Sequence, residues 1–86
     1  MYTFQKSTRK NKKYMVKYNG KYIHFGDTRY EQYEDKVLGL YKDQNHYDKK
    51  RRELYLKRAK GIKNKNGNLT YLDKTFPNYY SVKFLW

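Results

Sequence analysis

The strongest pattern in the chain is an alternation of apolar and polar positions from Lys12 to Asp27, KKYMVKYNGKYIHFGD, broken at its centre by Asn19-Gly20. Both turn residues tolerate positive φ, so the pair suits a two-residue type I′ turn and predicts a β-hairpin. That turn sets Val16 opposite Ile23 and Tyr14 opposite Phe25, which gathers four apolar side chains on one face. Met15, Lys17, Tyr22 and His24 share the other, wetter face. A two-stranded hairpin is marginal alone, so its apolar face calls for a covering layer.

Helical spacing follows. Thr28-x-x-Glu31 has the form of a capping box, and Tyr30, Tyr33, Val37 and Leu38 predict a short helix over 29–38, interrupted by Gly39. A stronger helix is expected to end before Gly61, with cap chemistry at Asp43, Gln44 and Asn45 and with Asp48 in or near its first turn. Tyr47, Leu54, Tyr55 and Ala59 fall in one arc at 100° per residue, with Arg51 and Arg58 inside it. Those two arginines are expected to be partly buried and paired with Glu31, Glu34 or Asp35. Lys49, Lys50, Lys57 and Lys60 lie on the opposite face. After a polar loop at 61–68, Pro77 suits the first turn of a last helix with Tyr79, Val82, Leu85 and Trp86 at helical spacing. The aromatic end Phe84-Leu85-Trp86 must dock, either in the seam between hairpin and second helix or on a neighbouring protein. The expected fold class is α+β: an N-terminal β-hairpin packed on two or three short helices. Residues 1–11 form an extended basic arm, and 12–86 form one small domain.

Composition sharpens this picture. The chain has 86 residues, 37% of them hydrophobic, but 12 of those are tyrosines. A core this thin barely offsets chain entropy, and with no cysteine no disulfide reinforces it. Lys and Arg number 21 against 8 Asp and Glu, a net charge of +13. A small soluble domain is suited by a net charge of about 2–8, so the excess points to a polyanionic partner. No apolar run is long enough for a transmembrane helix, and residues 1–13 contain no apolar stretch of signal-peptide kind. Intracellular residence is the expectation.

Catalytic chemistry is thinly represented. His24 and His46 lie on a strand face and in a turn, each without an evident partner, and no spacing suggests a metal site. Ser7 and Ser81 lack the strand–turn–helix setting of an activated serine, and Gly26, Gly39 and Gly61 stand alone. The chain is expected to be no enzyme, with no metal and no cofactor. Phosphate binding has better support. Lys6, Arg9, Lys10, Lys12 and Lys13 form one basic block, and Lys49, Lys50, Arg52, Lys57 and Lys60 a second. Lys17, Tyr22 and His24 offer a hairpin face for groove or base contact. Sequence reading is not expected, because no set of Arg, Asn or Gln stands out as base-reading.

Ile23-His24-Phe25-Gly26-Asp27, then Arg29-Tyr30, Gln32-Tyr33 and Asp35, form an ordered set of fragments. It continues through Leu38-Gly39-Leu40-Tyr41, Asn45-His46, Asp48, Arg51-Arg52, Tyr55 and Arg58, and ends at Ser81, Lys83, Leu85 and Trp86. With these, the chain from residue 12 to 86 resembles a group of small basic proteins encoded by nucleocytoplasmic large DNA viruses; residues 61–78 depart from the pattern. The resemblance implies a viral setting and no activity. It makes a minor capsid or internal virion protein the leading expectation, located in the virion and, during infection, in host cytoplasm or nucleus. Its partners would be capsid or other virion proteins, and DNA or RNA phosphate, with Phe84, Leu85 and Trp86 as anchoring residues. The alternative is a sequence-nonspecific nucleic-acid-binding module acting in the infected cell.

Overall fold

In the computed structural model, which describes residues 2–86, a three-stranded antiparallel sheet is followed by two helices, an α+β arrangement. The strands are β1 (Phe4–Lys6), β2 (Lys12–Tyr18) and β3 (Lys21–Asp27), in that spatial order. Asn19 and Gly20 adopt φ of 51° and 77°, and the register pairs Val16 with Ile23 and Tyr14 with Phe25, as the turn chemistry requires. None of the described helices is long and apolar enough to cross a membrane.

The basic arm differs from expectation. Met1 lies outside the described residues, but Phe4, Gln5 and Lys6 pair with Val16, Met15 and Tyr14 as a third strand. Phe4 reaches the apolar face, where its ring meets Phe25 edge-on at 5.9 Å and Phe84 at 4.9 Å. A tight connection with Asn11 at φ 67° returns the chain to β2. Two aromatic residues recruit the arm to the free sheet edge, Phe4 and Tyr2, whose ring meets Tyr80 at 5.5 Å and Phe84 at 6.0 Å.

Helix 29–38 does not form. The carboxylate of Asp27 takes the Arg29 N–H at 2.9 Å, while Glu31 bonds Arg51 instead of closing a capping box with Thr28. The segment's amides then find distant acceptors: Gln32 donates to the Gln44 carbonyl, Glu34 to that of Leu85 and Lys36 to that of Phe84. These bonds satisfy the backbone as well as a helix would, and they hold the strap 28–48 across the molecule.

α1 (Lys49–Ala59) starts at Asp48, whose side chain accepts from the Lys50 and Arg51 amides, a cap worth about 1 kcal/mol. α2 (Pro77–Phe84) starts with its proline in the first turn. The layer over the sheet is α2 rather than the longer helix. Tyr14, Val16, Ile23 and Phe25 pack with Tyr80 and Leu85 to form the core. In α2 it is Tyr80 and Ser81 that are buried, while Tyr79 and Val82 are half-buried. Six of the eleven residues of α1 are Lys or Arg, and only Ala59 is buried. Tyr47 and Leu54, expected inside, are 57% and 54% exposed. α1 is therefore held at a few points and stands off from the sheet.

Candidate functional site

The strap and sheet meet in a buried polar knot. Asp35 accepts from the Tyr14 hydroxyl at 2.5 Å and from the amides of Val37 and Tyr41 at 2.9 and 3.0 Å. Tyr14 Oη in turn accepts from the Leu40 amide at 3.0 Å. Burial, and then the adjoining carboxylate, raise the Tyr14 phenol well above its usual range, so it stays a donor. Asn45 Oδ1 takes the Asp35 amide at 2.8 Å and Gln32 Nε2 at 2.7 Å. Gln32 Oε1 receives a short hydrogen bond from Lys13 Nζ, which also donates to the Tyr30 carbonyl at 2.9 Å.

Lys13 is thus not a phosphate ligand. It is 1% exposed, and burial pushes its pKa down to about 8, with Asp35 only partly opposing the shift. β2 is buried on both faces at this point, which strand alternation alone does not reveal. The knot itself escaped sequence reading because Gln32, Asp35 and Asn45 are polar residues in what reads as helix and cap. The faint available signal was their density in a segment with few cations.

Arg52 is also diverted. Its Nε donates to the Trp86 backbone oxygen at 2.7 Å, and its guanidinium lies 5.2 Å from the Tyr33 ring. Arg51 pairs with Glu31 at 2.9 Å, but both side chains remain about half exposed, at 48% and 53%. Arg58 is exposed and makes no ion pair among the described residues. Of the two arginines expected to be partly buried and paired, only Arg51 meets one of the expected acids, Glu31, in a half-exposed pair, because α1 stands off from the sheet. On the hairpin's second face, Lys17 and Tyr22 are exposed, with the ammonium 5.8 Å from the ring. His24 is not available for contact: it is buried beside Met15, and its Nδ1 lies 2.7 Å from Ser7 Oγ. Burial, then Arg9 and Lys12, lower its pKa.

The remaining basic residues do face solvent. Lys6, Arg9 and Lys10 are exposed and Lys12 half-buried on the sheet side. Lys49, Lys50, Lys57 and Lys60 are exposed on the outer face of α1, as the helical spacing requires. The first 26 residues carry seven Lys and Arg and no acid. Among the described residues only Arg29 and Arg51 engage in ion pairs. The two basic blocks flank the strap, where five of the eight acids lie.

The C-terminal residues dock within the chain. Leu85 is 1% exposed and Phe84 packs among Tyr2, Phe4 and Tyr80. Trp86 stacks on Tyr55 of α1 at 4.0 Å and 9°, with the His46 ring 5.1 Å away on a tilted plane. His46 Nδ1 accepts from the Asp48 amide at 2.9 Å. Where α1 stands off, a cleft of about 600 Å³ opens between the Gly26–Gln32 stretch and the helix, with α2 at its base. No group of three His, Asp or Glu side chains among the described residues is placed to hold a metal ion.

A family of unknown function (DUF5754) matches residues 2–36, under half of the chain. That segment spans the whole sheet and the strap as far as the knot aspartate. No curated protein and no solved structure matches the chain.

Proposed function

We propose that this chain is a non-enzymatic nucleic-acid-binding module that grips phosphate without reading sequence. The observation that carries the reading is the exposed, unpaired outer face of α1, Lys49, Lys50, Lys57 and Lys60, in a chain of net charge +13. Charge of this density and exposure draws a polyanion by releasing its condensed counterions. Arg9 and Lys10 in the β1–β2 connection are exposed as well. A virion is the setting implied by the resemblance to large-DNA-virus proteins, and internal virion binding is one place for such a module. Neither the arm nor the aromatic tail needs a neighbouring protein to hold it. Both are held by the chain's own sheet and core.

The test is fluorescence anisotropy of labelled DNA against salt. Contact with about five to eight phosphates gives log K falling against log salt with a slope near −0.9 per phosphate. Changing Lys49, Lys50, Lys57 and Lys60 together to Gln should flatten that slope by about 2–4. A salt-independent affinity, or a hundredfold preference for one duplex sequence, refutes the reading. Copurification with purified particles after a high-salt wash tests the setting separately.

A further inference from the structure

The cleft beside α1 has the size and lining of a ligand site. Its volume of about 600 Å³ falls within the roughly 300–1,000 Å³ of small-molecule sites. Leu54, Tyr55, Leu85 and Trp86 supply apolar and aromatic walls, while Lys12 and Arg58 bring positive charge. Its two acids are already engaged, Asp27 with Arg29 at 2.8 Å and Glu31 with Arg51 at 2.9 Å, so they leave Lys12 and Arg58 to an outside anion.

An occupant that satisfies this lining has a flat apolar body and an anionic group beside it. A nucleotide has both. We propose that the cleft is a nucleotide subsite that takes one unstacked base of a single-stranded nucleic acid, with the adjoining phosphate on Arg58 and Lys12. The proposal rests on the nucleic-acid reading above and adds a preference for single strands, since a duplex keeps its bases paired and stacked.

Trp86 is the only tryptophan, so its emission reports on the cleft directly. The full chain is titrated with an oligothymidylate of roughly eight nucleotides and with an abasic strand of equal length and charge, a length chosen to span one compact site. Anisotropy reads affinity and Trp86 emission reads occupancy. The base-bearing strand should bind about tenfold more tightly, the size of one stacked base, and quench Trp86. The abasic strand should bind without quenching. Leu54→Gln should bring the two affinities together, and because Leu54 is 54% exposed the variant's thermal melt should stay close to that of the parent. If both strands bind equally and neither quenches, the subsite is wrong while the phosphate-binding reading stands. If neither binds, both fall. If an acidic peptide or a fatty acid quenches Trp86 where oligothymidylate does not, the cleft serves another ligand and the proposal is overturned.

Discussion

Lys13 gives the sharpest test of how this fold is held together. Its ammonium is buried with two neutral acceptors and no ion-pair partner among the described residues. The folded pKa of about 8 lies below the ordinary value of 10.5, so between those values the unfolded chain binds more protons than the folded one. Stability therefore rises with pH across that window. Tyr14, Tyr55 and Tyr80 act in the opposite sense: burial raises their folded pKa values, so stability is lost once unfolded tyrosine ionises near 10. The hydrogen bond between Tyr2 and Tyr79 raises the first and lowers the second, in opposing contributions. The clean interval is pH 7.5 to 9.5. Across it, linkage gives a gain of about 2 kcal/mol from Lys13, offset by about 0.5 kcal/mol from the three tyrosines. With a urea m-value of about 1–3 kcal/mol per molar, the midpoint should rise by roughly 0.5–1.5 M. Lys13→Met removes the titrating group and should abolish the rise. At pH 7.5 the variant should lie within about 2 kcal/mol of the parent, because relief of the buried charge offsets two acceptors left unpaired. A parental midpoint that is flat or falls over this interval, or a variant that keeps the rise, refutes the argument.

Three further outcomes follow from the packing. Gly26 and Gly20 share a φ of 77°, but a Cβ at Gly26 would meet Leu85 Cδ1 at 2.9 Å and Lys13 Cβ at 3.0 Å, while Gly20 faces open space. Gly20→Ala should cost about 1–2 kcal/mol and Gly26→Ala about 2–5 in chemical denaturation, so equal costs would contradict the close approach. Asp35→Ala strands three buried donors and should cost at least about 3 kcal/mol. With Tyr14→Phe the double variant should lose clearly less than the sum, and strict additivity in a double-mutant cycle would disprove the shared bond. Truncation after Lys83 removes Leu85, the Trp86 stack and the carbonyls that receive Glu34 and Lys36. Loss of one large core side chain costs about 3–5 kcal/mol, against a total of about 4–13 for a chain this size. The truncated chain should therefore show no cooperative thermal melt; an unchanged melt would reduce the terminus to a passive tail.

What local chemistry dictates was legible in the residues. Asn19-Gly20 admits little besides the tight turn, and a period of two then sets both register and apolar face, so the hairpin followed directly. Pro77 and the aromatic end likewise marked α2 and its need to dock, and the spacing of Lys49, Lys50, Lys57 and Lys60 placed them on an outer face. Each of these depends on residues within a few positions of one another.

Only the tertiary structure decided the rest. Residues 29–38 have helical spacing, yet their amides bond to Gln44, Phe84 and Leu85, partners too far along the chain for any local pattern to announce. The same long-range closure turns Lys13 and Arg52 from apparent phosphate ligands into internal donors and buries His24 against Ser7. It also leaves α1 standing off from the sheet, and so opens the cleft. Periodicity specifies which way a side chain points along its own element. Whether a second segment lies there to meet it depends on the closure of the whole chain, and in this protein the strap and the last helix make that closure.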